Sequence, residues 1–222
     1  MSERAGGSFS CQAVLFDLDG VLVDSRICIE RSWTAWADRR QIDRELVLGL
    51  AHGRRTRETL QLVAPHLDPE VEIAELARAE LQDLDGALAM PGARALLNAL
   101  PENRWAIVTS GLRAISVARL RHVGLPIPAV FVTAEDVERG KPFPDGYLTA
   151  ASRLRYRPEQ CLVVEDTPPG IAAARAAGMR VIAVATTYPR EQLLGADHIA
   201  GGVDDLFLRA EEDVLRLTAT HS

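Results

Sequence analysis

Short continuous runs of apolar residues recur along the chain, and more polar stretches separate them. Runs of four residues occupy positions 13–16, 105–108, 161–164 and 181–184, and a weaker run of three occupies 130–132. Continuous runs rich in Val and Ile are typical of strands that are buried on both faces. Stretches with apolar residues at helical spacing follow these runs. One extends from Ile171 to Ala177, and Gly178 is expected to cap the C-terminus of that helix. Strands that alternate with helices predict an α/β fold: a Rossmann-like parallel sheet with helices on both faces.

Residues 26–87 interrupt this alternation. They contain no convincing strand run and are rich in charged residues and helix formers, most clearly over 69–84. We expect a small all-helical insert after the first strand, and a turn at Met90-Pro91-Gly92 that returns the chain to the sheet. The predicted division is a disordered tail at 1–10, an α/β core at 11–25 and 88–222, and the insert at 26–87. A helix is expected to begin at 211–213, where three acidic residues are consecutive.

Composition excludes several classes of function. The chain has 222 residues, a net charge of −6 and no basic block, which argues against nucleic acid as a partner. No apolar run is long enough to span a membrane, and the N-terminus has no apolar stretch of a signal peptide. The three cysteines form no C-x-x-C pair and are expected to be free thiols. These features predict a cytoplasmic protein, a monomer or a small homo-oligomer.

Polar residues of types that can act in catalysis or ligand binding follow the predicted strands directly. Ligands of open parallel sheets bind outside the carboxyl ends of the strands, so these positions are expected to meet at one edge. The segments are Asp17-Leu18-Asp19-Gly20, Thr109-Ser110-Gly111 and Glu165-Asp166, and a loop between the last two carries Gly140-Lys141-Pro142.

This set of residue types suits an anionic substrate and a divalent cation. The carboxylates of Asp17, Asp19 and Asp166 form a hard oxygen cluster of the kind that holds Mg²⁺. Thr109, with the N–H groups of Ser110 and Gly111 before a predicted helix, can bind an anion. Lys141 adds a positive charge for phosphate oxygens.

The four segments together resemble the four motifs of the haloacid dehalogenase-like (HAD) hydrolase superfamily. Residues 14–25 are similar to its first motif, 108–111 to its second, 140–142 to its third and 164–166 to its fourth. The order and rough spacing match over nearly the whole chain. The insert resembles the helical cap of the subgroup that contains β-phosphoglucomutase and sugar phosphatases.

A narrower similarity involves glycerol-phosphate and 2-deoxyglucose-6-phosphate phosphatases. It depends on residues 52–56, Trp105-Ala106 before the second motif, and residues 185–187. It implies a small-molecule phosphate ester, of a sugar or a polyol, as substrate. Phe143 departs from the subgroup, in which the third motif often continues Gly-Lys-Pro-His-Pro.

The resemblance implies a Mg²⁺-dependent phosphatase with a defined set of roles. Asp17 is the nucleophile that forms an aspartyl-phosphate, and Asp19 is the general acid and base. Mg²⁺ is held by Asp17, by the backbone carbonyl of Asp19 and by Asp166. Thr109, Ser110 and Lys141 bind the phosphoryl group. The candidate residues for substrate selection in the cap are His52, Arg54 and Arg55.

Alternatives remain at the level of function and of single residues. A phosphomutase shares the cap and the chemistry, and a non-catalytic binding protein could share the fold. Asp166 could cap the helix that begins near Pro168, and Lys141 could be a surface lysine. Glu165 could form a structural ion pair rather than support a metal. One of Arg54 and Arg55 could be a solvated residue at a helix end.

Overall fold

The structure is a computed structural model that describes residues 7–211 and 214–219. A parallel sheet at its centre is formed by β2 (Ala13–Phe16), β5 (Trp105–Val108), β6 (Val130–Val132), β7 (Cys161–Glu165), β8 (Arg180–Val184) and β9 (His198–Ala200). The strand order is β6-β5-β2-β7-β8-β9. The five apolar runs that predicted strands are therefore confirmed, and β9 adds an edge strand.

Helices cover both faces of this sheet, as the continuous apolar runs predicted. They are α5 (Ala93–Ala99), α6 (Arg113–His122), α7 (Asp145–Leu154) and α8 (Pro168–Ala176). Along β2, Phe16 packs in one apolar cluster with Leu120 of α6, and Leu15 packs in a second cluster with Tyr147 of α7. Successive side chains of a strand point to opposite faces, so a strand buried on both sides needs an uninterrupted apolar sequence.

The segment 26–82 folds into four helices with an apolar cluster of their own. They are α1 (Arg26–Arg40), α2 (Arg44–Ala51), α3 (Thr56–Val63) and α4 (Pro69–Gln82). Trp33 and Trp36 pack edge to face in this cluster, with ring centroids 5.4 Å apart, beside Leu60 and Leu76. The structure describes residues 26–87 completely and has no strand there. The helical nature of the predicted insert is therefore confirmed.

The insert leaves and rejoins the core at one place. The two-residue strands β3 (Val23–Asp24) and β4 (Leu88–Ala89) pair antiparallel there. Gly92 then has a φ of 79° and precedes α5, so the predicted turn and helix after Met90 are confirmed. The four helices are thus tied to the core by a short two-stranded connection beside the carboxyl end of β2.

The two ends of the chain differ from the sequence prediction. Residues 8–10, expected in a disordered tail, belong to β1 (Ser8–Cys11), and residues 1–6 lie outside the described part. β1 pairs with β11 (Leu215–Ala219), which pairs with β10 (Leu206–Ala210) in a three-stranded antiparallel sheet. Glu211 lies between β10 and β11 rather than at a helix start, and residues 212–213 and 220–222 lie outside the description. This sheet forms because alternate residues of β11 are buried against the core.

Two further expectations concern the state of the cysteines and the presence of a membrane-spanning helix. Cys11, Cys28 and Cys161 are buried free thiols, as predicted. Among the helices of the described ranges, none has both the length and the apolar composition that crossing a membrane requires.

Candidate active site

The sheet topology brings the predicted segments together. β2 lies between β5 and β7, and Phe16 at the end of β2 pairs with Ile107 on one side and Val164 on the other. The residues that follow these positions, Asp17, Thr109 and Glu165, therefore emerge at the same sheet edge. Asp17 is 6% exposed and its backbone N–H donates to the carbonyl of Val164 at 3.0 Å. The backbone of Asp17 is thus held at the carboxyl edge of the sheet.

Lys141 reaches this edge from the loop before α7. Its Nζ donates to the Asp17 carboxylate and to Oε1 of Glu165, the latter at 2.5 Å. The hydroxyl of Tyr147 donates to the same Glu165 oxygen at 3.0 Å. Lys141 is only 8% exposed, so the alternative of a surface loop lysine is wrong. A buried ammonium shared by two carboxylates has little freedom, which fixes its charge beside Asp17.

The second oxygen of Glu165 organises the start of α8. It accepts hydrogen bonds from the N–H groups of Asp166 and Thr167, both at 2.8 Å, and from the Thr167 hydroxyl at 3.0 Å. Burial opposes ionisation of Glu165, but Lys141 and these donors hold its pKa below the ordinary value. Glu165 is therefore a structural ion-pair partner of Lys141 that also orients Asp166.

The carboxylate of Asp166 has no hydrogen-bond partner among the described residues, although both oxygens are buried. The N-cap of α8 is Thr167, whose side chain accepts from Gly170 N, so the alternative of Asp166 as the cap is wrong. Burial, with the charges of Glu165 and Asp17, raises the pKa of Asp166 well above its ordinary value, although the nearby Thr187 hydroxyl and Lys141 oppose the rise. A buried carboxylate with no partner is costly unless a cation balances it.

Burial also opposes ionisation of the Asp17 carboxyl group. Burial, together with Glu165 and Asp19, raises its pKa to about 8, although Lys141 opposes the rise. The described residues contain no group of three His, Cys, Asp or Glu side chains arranged around a common metal position. Two carboxylates and the Asp19 backbone carbonyl are a smaller donor set, which suits Mg²⁺ because that ion keeps several waters. The unpartnered Asp166 carboxylate fits such a cation.

Thr109 and Ser110 follow β5, the strand that pairs with β2 on one side. The N–H of Gly111 donates to Oγ1 of Thr109 at 3.0 Å. The hydroxyl of Ser110 donates to the carbonyl of Gly53 in the helical insert, also at 3.0 Å. Of the two predicted phosphate-binding hydroxyls, the Ser110 group is therefore engaged with the insert, and Thr109 remains beside the cavity.

Asp19 has partners that the sequence did not reveal. Its Oδ1 accepts hydrogen bonds from Ser25 Oγ at 2.6 Å and from a guanidinium N–H of Arg119 at 2.8 Å. A second N–H group of Arg119 donates to Glu80 of α4 at 2.5 Å. Arg119 lies on α6 and is 2% exposed. The sequence does not single out Arg119 or Glu80, because each lies among other charged helical residues.

The three candidate residues of the insert have two different environments. His52 and Arg54 line the cavity at the sheet edge, and burial is the main cause of a lowered pKa of His52. Arg55 does not line this cavity. It donates instead to the carbonyls of Val137 and Glu138, at 3.2 and 3.1 Å, in the loop before Lys141. Its guanidinium is thus occupied by the loop, and the expectation that Arg55 contacts substrate is not supported.

Phe143 takes the place of the usual histidine of the third motif. It is 47% exposed, and the guanidinium of Arg139 lies over its ring at 4.6 Å from the centroid. Arg139 also pairs with Asp145 at the start of α7. Phe143 therefore serves as an aromatic support for a surface ion pair.

One cavity of about 120 Å³ connects these groups. Its floor is formed by residues of the sheet edge, and its opposite wall by the insert. The floor residues are Asp17, Asp19, Thr109, Ser110 and Asp166, and the wall includes Trp33, His52, Arg54 and Glu80. The described site is thus a partly open pocket between the carboxyl end of the sheet and the helical insert, lined by both polar and apolar residues.

Comparison with known proteins agrees with this geometry. The haloacid dehalogenase-like hydrolase family matches residues 11–178. The chain is 45% identical over 179 residues to hexitol phosphatase A of Escherichia coli, covering 78% of this chain and 83% of that protein. It is 36% identical over 193 residues to glycerol-1-phosphate phosphohydrolase 2 of Saccharomyces cerevisiae, covering 82% and 77%.

A crystal structure of β-phosphoglucomutase from Clostridium difficile superposes with a TM-score of 0.77 at 21% identity, over 87% of this chain and 92% of that one. This likeness shows the shared fold alone. The chain belongs to the haloacid dehalogenase-like hydrolase family, and the similarity to sugar and polyol phosphatases that the motifs predicted is confirmed.

Proposed function

We propose that this protein is a Mg²⁺-dependent phosphatase that hydrolyses a small sugar or polyol phosphate monoester through an aspartyl-phosphate on Asp17. The observation that carries the proposal is the placement of Asp17. It is a buried carboxylate at the end of a central strand, paired with Lys141 and open to the cavity. Fixed positive charge beside a nucleophilic carboxylate favours attack on an anionic phosphate.

The reaction has two steps with balanced bonds. In the first, a carboxylate oxygen of Asp17 attacks phosphorus while the bond from phosphorus to the ester oxygen breaks. Asp19 gives its proton to the departing oxygen, which leaves as an alcohol. In the second, Asp19 takes a proton from water, and the water oxygen attacks phosphorus. The bond between phosphorus and Asp17 breaks, which releases inorganic phosphate and restores both residues.

Lys141 and Thr109 hold the group that is transferred. Lys141 Nζ lies against the Asp17 carboxylate, and Thr109 lines the cavity at the end of the neighbouring strand. The equatorial oxygens of a phosphoryl group in transfer carry dispersed negative charge, which these donors stabilise. Ser110 contributes less directly, since its hydroxyl is bonded to Gly53 of the insert.

Mg²⁺ would be held by the Asp17 carboxylate, the Asp19 backbone carbonyl and Asp166. When bound, it would supply positive charge to the phosphate oxygens and to the two buried carboxylates. The support for this site is the Asp166 carboxylate, which is buried and lacks a hydrogen-bond partner among the described residues. Glu165 fixes the backbone of Asp166 through the hydrogen bond at 2.8 Å.

The insert acts as the cap that selects the leaving group. Polar His52 and Arg54 of the insert line the same cavity as Asp17, together with Trp33. Polar groups of this kind suit a leaving group rich in hydroxyls. Curated relatives at 45% and 36% identity are named for hexitol and glycerol-1-phosphate substrates. We therefore assign the substrate to the class of sugar and sugar-alcohol phosphates.

An Asp17→Asn variant tests the proposal. We expect it to lose phosphate release from p-nitrophenyl phosphate and from a hexitol phosphate by at least about a thousandfold, because the amide cannot form the covalent intermediate. Asp38→Asn is a matched control, since Asp38 forms an exposed ion pair with Arg44 in the insert. Retention of activity by Asp17→Asn, or absence of Mg²⁺-dependent turnover in the wild type, would overturn the proposal.

The alternative activity is that of a phosphomutase, which would use the same cap and the same aspartyl-phosphate chemistry but return the phosphoryl group to a sugar. Product analysis with glucose 1-phosphate separates the two. A phosphatase yields glucose and inorganic phosphate, whereas a mutase yields glucose 6-phosphate. Accumulation of glucose 6-phosphate without free phosphate would favour the mutase and reject the phosphatase.

A further inference from the structure

Arg119 forms a bridge between Asp19 and the helical insert. One N–H group of its guanidinium donates to Asp19 Oδ1 at 2.8 Å, and a second donates to Glu80 at 2.5 Å. Glu80 belongs to the last turn of α4 and is 7% exposed. A single buried side chain therefore joins helix α6 of the core, helix α4 of the insert and the carboxylate assigned to acid–base chemistry.

The hydrogen bonds on Asp19 are distributed unevenly between its two oxygens. Oδ1 accepts from both Ser25 and Arg119. The other oxygen, Oδ2, faces the loop after β5 and lies 3.8 Å from the position that a Cβ on Gly111 would occupy. Two donors on one oxygen fix the rotation of the carboxylate and leave the other oxygen toward the phosphate-binding loop.

Burial of Arg119 is not explained by stability. Its Nε lacks a hydrogen-bond partner among the described residues, and burying an unpaired polar group costs free energy. A buried ion pair is often no more stabilising than apolar side chains of the same size. Features that break a local rule of folding are expected at functional positions.

We propose that Arg119 is a positioning residue for the proton transfer of Asp19, and that Glu80 of the insert holds Arg119 in place. The guanidinium orients the Asp19 carboxylate so that Oδ2 faces the departing oxygen of the ester. Because its second N–H group is bound to α4, this orientation depends on the insert being docked against α6. The inference builds on the proposed phosphatase function and assigns two residues to its acid–base step.

The test uses leaving groups that differ in their need for a proton. p-Nitrophenolate leaves without much acid assistance, whereas the alkoxide of a polyol phosphate must be protonated as the bond breaks. The value of kcat/KM reports steps up to departure of the alcohol. For Arg119→Met we therefore expect a loss of about a hundredfold with a hexitol phosphate and of less than about tenfold with p-nitrophenyl phosphate.

Three further variants make the result specific. Arg121→Met removes an exposed arginine from the same helix and should leave both values unchanged. Arg119→Lys keeps the charge but cannot span two carboxylates, so it should restore only part of the hexitol phosphate activity. A double variant, Arg119→Met with Glu80→Met, replaces the buried pair with apolar side chains and should fold even if Arg119→Met alone does not. This double variant should still lose more kcat/KM with the hexitol phosphate than with p-nitrophenyl phosphate.

The outcomes distinguish this inference from the proposed function. If the wild type hydrolyses neither ester, the phosphatase assignment itself fails. If the wild type hydrolyses both, but the folded variants lose kcat/KM equally for the two esters or do not lose it, the positioning role of Arg119 is overturned.

Discussion

Gly20 lies directly against the carboxylate of Asp166, and a methyl group at position 20 would overlap Oδ2 of that residue. Gly20 also has a φ of 87°, a conformation that costs other residues about 1–2 kcal/mol. We expect Gly20→Ala to displace Asp166 and to lower kcat by at least about a hundredfold. The loss should be accompanied by weaker Mg²⁺ activation, measured as a higher metal concentration for half-maximal phosphate release.

Gly178→Ala is the matched control for backbone strain. Gly178 has a φ of 77°, but its Cβ position has no atom within 4 Å. The variant should therefore lose about 1–2 kcal/mol of unfolding free energy and keep wild-type kcat. If both alanine variants lose activity to the same extent, then strain rather than contact with Asp166 explains the effect of Gly20→Ala.

Glu165 provides a second prediction. It accepts from Lys141 Nζ at 2.5 Å and from the N–H groups of Asp166 and Thr167. In Glu165→Gln, Lys141 retains only Asp17 as a charged partner. The amide also replaces one accepting oxygen of Glu165 with an NH2 group, which cannot accept the hydrogen bonds that converge there. We expect kcat to fall about 10–100-fold, the range typical for residues that orient metal ligands. Steady-state kinetics at saturating Mg²⁺ measures the change.

The control for this variant is Glu159→Gln. Glu159 lies just before the same strand in an exposed ion pair with Arg157, with side chains 60% and 72% exposed. Its kcat and its thermal midpoint should stay close to the wild type, because exposed pairs contribute little. Equal activity of the two glutamine variants would show that Glu165 does not support the site.

The predictable part of the site is the part that depends on strand ends. Asp17, Thr109 and Asp166 each follow an apolar run, and the carboxyl ends of parallel strands share one edge of the sheet. Local sequence therefore decides their position once the strands are recognised. Lys141 comes from a loop, so its contact with Asp17 required the resemblance to a family rather than the pattern of apolar residues.

Arg119 was not predictable because its contacts depend on how helices pack. It is separated from Glu80 by 39 residues and from Asp19 by 100. Nothing in the spacing of charges along α6 distinguishes it from the exposed Arg121. The terminal sheet is a different case. Leu215 and Leu217 alternate with more exposed residues, which is a strand pattern, but the acidic residues before them favoured a helix start.

Arg55 links the insert to the loop that carries Lys141. Its guanidinium donates to the carbonyls of Val137 and Glu138 and pairs with Glu58, which accepts from Gly140 N at 3.3 Å. We expect Arg55→Ala to loosen the docking of the insert and to lower kcat/KM about tenfold, mainly through KM. Kinetics with a hexitol phosphate measures the change.

Arg57→Ala is the control, because Arg57 lies in the first turn of α3, two residues after Arg55, but pairs with Glu70 inside the insert. It should keep kcat/KM within about twofold of the wild type. A similar loss in both variants would indicate a general effect of removing charge from α3 rather than of releasing the loop.

The burial of Cys161 predicts a loss of folding stability at alkaline pH. Burial raises the pKa of its thiol from 9.0 to about 12. The folded state therefore keeps the proton over a range in which the unfolded chain loses it. This contribution to stability is complete below pH 9 and is lost as the pH rises toward 12. At 1.36 kcal/mol per pH unit, the loss at pH 10.5 is about 2 kcal/mol.

Cys161→Ala removes this titration. Its cavity lowers the unfolding free energy at every pH, but that cost does not depend on pH. Between pH 7.5 and pH 10.5, urea unfolding should therefore show a fall in stability that is about 2 kcal/mol larger for the wild type than for the variant. An identical fall would mean that the thiol ionises as readily in the folded protein as in the unfolded chain, in conflict with its complete burial in β7.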